Sequence, residues 1–471
     1  MSKNLLLINP WIYDFTAYDL WGKPLGLLYI GSFLKKFGFD INYIDCLDKH
    51  SGEDEKITVK KYGVGSYRRE IIQKPEVLKH IPRKYARYGI SEELFIRQLK
   101  ENKAADAVLV TSIMTYWYPG VKRVVELVRE HLPGAVVILG GIYATLLPEH
   151  ARETVRPDYI ITGPGEIKAL RLLNDILKLE IDESLIPGNL DDYPYPDFEL
   201  IHKPDYLVLM TARGCPYDCS FCAQKQISMN FTQRDPVRVV DEFVEQYRKF
   251  RLRDFAFYDD ALFINKKRHI EVILNQLIEK RLPIRLHSPN GLFARYVDQE
   301  LAELMYRSHF KTIRLSFETS NESRRKDMYS KVTNADMIQA VENLNRAGFR
   351  SKDLEAYVLM GLPGQDIEEV AASIIFVHNL GVRVRLASFS PIPGTKDFQR
   401  AVEQGYIAED IDPLLTNKSI FPLSNESMNF ETYRKLRTFS NILNEAAMRE
   451  LSLFTDISIG KAIRKVIGQI Q

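Results

Sequence analysis

Cysteine is scarce in this chain, with four in 471 residues, which excludes the disulfide framework of a small secreted protein. Long apolar runs are missing too. No stretch reaches the roughly 18 uninterrupted apolar residues of a membrane-spanning helix, and the one within Met1-Ser-Lys-Asn-Leu-Leu-Leu-Ile-Asn-Pro10 is too short for a signal-peptide core. No transmembrane segment and a cytoplasmic location are therefore expected. Neither sign of charge dominates: 64 lysines and arginines stand against 62 acidic residues, a net charge of +2. That balance offers no case for nucleic acid or an anionic membrane as a partner. Internal repeats and low-complexity tracts are also absent.

What is present suits a globular enzyme. Hydrophobic residues make up 45% and charged residues 27%, an ordinary mixture. The length exceeds the size at which single cores stop growing, so two or three domains are expected. Three of the four cysteines fall within eight residues, a distribution that suits metal binding better than disulfides.

The first 150 residues alternate strand and helix. Apolar runs at Leu5 to Asn9, Ile41 to Asp45, Ala107 to Ile113 and Ala135 to Leu139 are separated by helical periodicity at Pro24 to Phe37 and Pro119 to His131. This rhythm predicts an α/β, doubly wound, Rossmann-like domain that binds ligands at the carboxyl ends of its strands, where Gly140-Gly141 stands. A long insertion, residues 49–103, interrupts it with lysines and arginines among Tyr62, Tyr67, Tyr85 and Tyr88. Such mixing can stack bases; the simpler reading, a solvated insertion anchored by its aromatics, is preferred. Residues 151–203 read as a connection, broken by Pro187, Gly188, Pro194 and Pro196. Six strand candidates then alternate with helices over 204–399, predicting a full or partial barrel with chemistry at the carboxyl ends of its strands. Residues 400–471 read as a helical C-terminal region, with Glu431 to Leu451 as one amphipathic helix.

The cysteines stand in Arg213-Gly-Cys-Pro-Tyr-Asp-Cys-Ser-Phe-Cys222, directly after the first barrel strand. Three thiolates on one loop can ligate three irons of a cubane cluster and leave the fourth open. A closed zinc site is the alternative, but it requires four ligands, and no histidine stands nearby at zinc-finger spacing. Cys46, far away in the chain, is read as a small buried residue.

This loop resembles the cluster-binding loop of the radical S-adenosylmethionine (SAM) superfamily, and the resemblance extends from about Tyr206 to Phe398. It implies a (β/α)6 partial barrel, a 4Fe-4S cluster held by Cys215, Cys219 and Cys222, and SAM chelating the open iron. One electron then cleaves SAM to methionine and a 5′-deoxyadenosyl radical that abstracts hydrogen from substrate. By position in the family pattern, Asp260 in Phe257-Tyr-Asp-Asp-Ala261 is the carboxylate that accepts from the methionyl ammonium. Ser316 and Glu318, in Ser316-Phe-Glu-Thr319, fall where family members hold the ribose hydroxyls. Gly361 and Gly364, in Val358-Leu-Met-Gly-Leu-Pro-Gly364, would bring backbone close to the adenine. His287 is either a site residue or a satisfied core histidine.

Lys23-Pro-Leu-Gly-Leu-Leu-Tyr-Ile-Gly31, Ile44-Asp-Cys-Leu-Asp48, Val137-Ile-Leu-Gly-Gly-Ile-Tyr-Ala-Thr145 and Asp158-Tyr-Ile-Ile-Thr-Gly-Pro-Gly-Glu166 resemble the cobalamin-binding domain that precedes the barrel in one class of this superfamily. In that resemblance Gly140 and Gly141 let a flat macrocycle lie over the sheet edge. Asp48-Lys-His-Ser-Gly52 departs from the Asp-x-His-x-x-Gly pattern of histidine-ligated cobalamin domains, so His50 takes no ligand role. The implied reaction is cobalamin-dependent radical methylation of an unactivated carbon in a small-molecule or lipid substrate, with a low-potential donor such as ferredoxin or flavodoxin. Ring closure, rearrangement and carbon–carbon coupling fit the same layout. A non-enzymatic iron-sulfur or cobalamin sensor explains the cysteines but not the acidic and glycine segments at successive strand ends.

Overall fold

The computed structural model describes residues 3–53, 57–329, 332–426, 428–449 and 468, and the chain divides at Val208 into two compact units. In the first unit, β1 (Asn4–Asn9), β2 (Asp40–Asp45), β3 (Ala107–Val110), β4 (Val136–Leu139) and β5 (Tyr159–Ile160) form one sheet in the order β5-β4-β3-β1-β2. Every pairing in it is parallel. Leu5 and Leu7 pack with α1 (Leu25–Lys36) and α3 (Glu166–Leu177) on one face, while Leu6 and Ile8 pack with α2 (Tyr118–His131) on the other. A strand buried on both faces needs apolar side chains at every position, hence Leu5-Leu-Leu-Ile8. The strand order reverses between β1 and β3, the switch point at which such sheets bind ligands outside their carboxyl edge.

Two expectations need correction here. The insertion does not interrupt the fold throughout 49–103, because its last part is the helix Glu92–Glu101, capped by Ser91, with Phe95 and Leu99 in the same core. That helix makes the crossover that parallel β2 and β3 require; its charged sequence hides its two core residues. Earlier insertion residues Ala86–Tyr88 and Arg69–Ile71 join Ile12–Asp14 in a three-stranded antiparallel sheet. Tyr67, Tyr85 and Tyr88 are buried, so these aromatics are core residues. The stretch 151–203 is also more than a connection, since it supplies β5 and α3. With only two residues, β5 shows no periodicity.

From the boundary onward, β6 (Leu207–Leu209), β7 (Asp254–Phe257), β8 (Arg285–His287), β9 (Phe310–Glu318), β10 (Leu354–Met360) and β11 (Arg383–Ser388) lie side by side in chain order. Pairings from β7 to β11 are parallel. Helices α4 (Pro236–Phe250), α5 (Ile270–Glu279), α6 (Gln299–Arg307), α7 (Asn334–Ala347) and α8 (Ile367–Asn379) make the crossovers. Leaving β6 and β11 as the two edges, the order is that of a (β/α)6 partial barrel. Along β10, Leu354, Ala356, Val358 and Met360 are buried, whereas Glu355, Tyr357 and Leu359 on the other face are partly exposed.

Among the described residues two α-helices follow, α9 (Lys396–Glu403) and α10 (Phe430–Met448). The side-chain amide of Asn444 on α10 accepts from the Val384 N–H at 2.7 Å and donates to the Val384 carbonyl at 2.9 Å. This satisfies backbone groups at the free edge of β11, which would otherwise be open to pairing. The last two residues of the helix expected to Leu451 lie outside the described residues.

Candidate cofactor sites

The cysteine loop is held at its base and at its middle. Ala212–Arg213 pairs antiparallel with Thr232–Gln233, closing the loop below the cysteines, and Gly214 takes φ 81°, a left-handed conformation that favours glycine. Further along, the Ser220 hydroxyl donates to Asp397 at 2.7 Å, and the Asp397 N–H donates back to the Ser220 carbonyl at 3.0 Å. Asp397 lies in the first turn of α9, whose cap is Thr395. Sequence reasoning missed this reciprocal pair because 177 positions separate its partners. Tyr217 shares a 2.5 Å hydrogen bond with Tyr296, and Asp218 meets Lys396 at 2.9 Å.

Cys215 is half-buried, Cys219 buried and Cys222 exposed. Among the described residues no three His, Cys, Asp or Glu side chains converge on a single ion. A closed zinc site gathers four ligands on one ion, whereas a cubane takes each thiolate at a separate corner. Cys46 is buried in the first unit's core, and burial pushes its thiol pKa up.

At the end of β7 two adjacent aspartates have different surroundings. Asp259 is buried and accepts from the Thr211 N–H at 3.1 and 3.0 Å and the Thr211 hydroxyl at 2.6 Å; burial nonetheless pushes its carboxyl up to about 6. Asp260 is exposed. His287 is fully buried, with Nδ1 2.9 Å from the Thr312 hydroxyl and Nε2 3.0 Å from Asp254. Burial lowers its pKa despite Asp254. It is therefore a satisfied core histidine.

At the end of β9 the backbone is strained, where the ribose residues are expected. Glu318 has φ 66°, uncommon for a residue other than glycine, and the pairing with β10 slips between Ser316 and Glu318. Such strain persists only when its surroundings hold it, and it clusters at binding sites. A Cβ at Gly291 would stand 2.0 Å from the Ser316 hydroxyl oxygen, so that glycine gives Ser316 its room.

The glycine turn after β10 divides in two. Gly361 (φ 87°) was expected to bring backbone near the adenine, but a Cβ there would meet the Phe421 ring at 2.6 Å. Aromatic packing fills that space, and the Gly361 N–H donates to Gln365 at 2.8 Å. Gly364 (φ 66°) is open, its nearest neighbour to a Cβ being Gln404 at 3.8 Å.

In the first unit Gly140 and Gly141 also differ. Gly141 (φ 92°) is required by the chain itself, since a Cβ would stand 2.3 Å from the Ser112 carbonyl oxygen. At Gly140 the nearest atom to a Cβ, the Ile161 carbonyl oxygen, is 3.7 Å away. Ser112, another residue sequence reasoning missed, ties the two strand ends by donating to the Gly140 carbonyl at 2.6 Å. The His50 ring is engaged elsewhere, with Nε2 2.9 Å from Asp205.

Two family models match the chain, the radical SAM superfamily over residues 209–377 and the B12 binding domain over residues 84–173. The second match begins beyond β1 and β2, which the insertion separates from the remaining strands. Cytidylyl-2-hydroxyethylphosphonate methyltransferase of Streptomyces wedmorensis is 23% identical over 472 residues, covering 86% of this chain and 83% of that protein. Anaerobic magnesium-protoporphyrin IX monomethyl ester cyclase of Cereibacter sphaeroides is 26% identical over 313 residues, covering 59% of this chain and 50% of that protein. Among solved structures, the radical SAM methyltransferase TsrM of Kitasatospora setae has a TM-score of 0.63 at 17% identity, covering 86% of this chain and 76% of that one. At that identity the likeness is one of fold.

Proposed function

We infer, for a chain that belongs to the radical SAM superfamily and carries a B12-binding domain ahead of its barrel, that it methylates an unactivated carbon of a small-molecule or lipid substrate. The space at Gly140 carries this reading. Neither its backbone nor its neighbours require a glycine there, and open space at the carboxyl end of a doubly wound sheet is where such a fold takes its ligand. Three thiols on one loop likewise suit a cluster. When bound, the 4Fe-4S cluster supplies the electron that cleaves SAM and cobalamin carries the methyl group.

The chain's residues take the following parts. Cys215, Cys219 and Cys222 hold the cluster as thiolates, with Ser220 fastened to Asp397 between them. Asp260 accepts from the methionyl ammonium, leaving Asp259 to hold the strand ends together. Ser316 and Glu318 orient the ribose, and Gly364 leaves backbone open toward the adenine. Gly140 and Gly141 line the cobalamin face, and His50 is not its lower ligand. A ferredoxin or flavodoxin delivers the electron, and the cytoplasm keeps the thiols reduced. No helix among the described residues is long and apolar enough to cross a membrane.

Turnover with methyl-labelled SAM, after expression with cobalamin uptake, tests the reaction: label in the product at carbon is expected. Gly140→Leu should fold, keep its iron and lose cobalamin at least about tenfold, because a leucine fills the cradle without straining the backbone. Cobalamin bound equally by this variant would overturn the placement. Ring closure is the second reading, favoured by the cyclase among the relatives, and unlabelled product formed on turnover would select it.

A further inference from the structure

On the inner face of the barrel sheet three guanidinium groups gather around one carboxylate. Phe317 on β9 stacks on Phe376 of α8 at 5.1 Å, so Ile313, Leu315 and Phe317 face the helices, and Arg314 and Ser316 alternate onto the opposite face. The parallel register places Arg314, Glu355 and Arg383 on one level of that face and Ser316, Tyr357 and Arg385 on the next. Glu355 meets Arg314 at 3.1 Å, Arg383 at 3.2 Å and Arg385 at 3.3 Å. One carboxylate thus serves three guanidinium groups. Burial alone would raise the Glu355 carboxyl, but Arg385, Arg314 and Arg383 hold it below the ordinary range. Asp254, at the start of β7, is engaged by Arg285 and His287 and does not offset the excess.

The three arginines are not equally committed. Arg314 also donates to the Pro289 carbonyl at 3.2 Å, and Arg383 to the carbonyls of Ser351 and Lys352 at 3.2 and 2.9 Å. For Arg385 the contact with Glu355 through Nη1 is its one polar contact among the described residues. Its side chain keeps 33% of its exposure, against 7% for Arg314. A part-buried excess of like charge is stabilised by an anion, and the planar guanidinium edge matches a carboxylate or phosphate in two parallel hydrogen bonds.

We propose that Arg385, supported by Arg383, anchors an oxyanion group, carboxylate or phosphate, on the substrate. The inference rests on the radical SAM reading of the barrel, because Arg385 shares its level with Ser316, assigned above to the cofactor's ribose. An anion held there lies beside the radical source.

Thermal unfolding of the holoenzyme in inorganic phosphate, acetate and chloride at matched ionic strength tests the anchor without the substrate. Phosphate or acetate should raise the midpoint beyond chloride in the parent protein, and whichever acts names the preferred group. Arg385→Gln should weaken the apparent affinity at least tenfold, and Lys311→Gln, an exposed change on β9, should not. An equal response in Arg385→Gln, or no response beyond chloride in the parent, overturns the anchor. So does failure of both Arg385→Gln and Arg385→Met to fold, which would mark a purely structural ion cluster. SAM cleavage is measured on the same parent preparation: its presence alongside a failed anion response removes the anchor alone, whereas its absence removes the reading of the barrel.

Discussion

Adjacent residues of the same type can have unrelated duties, and Asp259 and Asp260 show why. Removing Asp259 strands the buried N–H and hydroxyl of Thr211, so Asp259→Ala should cost about 2 kcal/mol or more of unfolding free energy. Asp260→Ala should leave stability and iron content unchanged while weakening SAM binding about tenfold or more, the loss of a charge-assisted bond. Paired urea melts and binding titrations check both; equal stability losses would merge the two roles. A second residue-scale outcome concerns pH. Burial lowers the pKa of His287 below its ordinary 6.5, so the stability it contributes is present above that value and is lost as pH falls through the folded value. Asp259 runs the other way, its contribution present below its ordinary 3.8 and lost as pH rises through about 6. His287→Gln keeps a donor for Asp254 and an acceptor for Thr312, so its denaturation midpoint should fall less than the parent's between pH 7.5 and pH 5.5.

At the scale of elements, the cysteine loop depends on a helix outside the residues matched to the superfamily. The Ser220–Asp397 pair is buried and charge-assisted, worth about 1.5–3 kcal/mol, whereas the Lys396–Asp218 pair is exposed and screened by solvent. Asp397→Ala should therefore release iron to a chelator several-fold faster than the parent and Lys396→Ala at nearly the parent's rate, and identical release rates would leave the pair no role in cluster retention. Such long-range pairs explain what was legible in the sequence. β1 and β10 announce themselves through residues their neighbours must bury, and the cysteine spacing is local chemistry on one loop. Ser220 and Asp397, or Ser112 beneath Gly140, carry no local signature, since each acts through a partner brought near by the fold. β5 was hidden by its two-residue length, and Glu92–Glu101 by charges that leave few positions for the core. The turn at Gly361 is ambiguous for a different reason: a positive φ makes glycine necessary whether a ligand or the ring of Phe421 lies beside it.

For the whole molecule the consequence is separable loading. The cobalamin cradle proposed above would draw on strand ends of the first unit, where Ser112 donates to the Gly140 carbonyl, and the cysteine loop belongs to the second. Each unit has its own sheet, and the first is cored by apolar residues on both faces of its sheet, so emptying one site removes no side chain from the core of the other. Losing a thiolate leaves an iron without its anionic ligand, and ligand binding stabilises only the fold that binds. Cys215→Ala/Cys219→Ala/Cys222→Ala should therefore contain no cubane yet take up cobalamin to the parent's stoichiometry, while Gly140→Leu should show the reverse. Cys46→Ala, a change in the first unit's core, should keep both cofactors and lose about 1 kcal/mol of stability. Metal analysis for iron and cobalt on the same preparations reads all three variants. Cobalt lost together with iron in the triple variant would mean that cobalamin uptake requires a filled cluster, and the cradle at Gly140 would then be insufficient by itself.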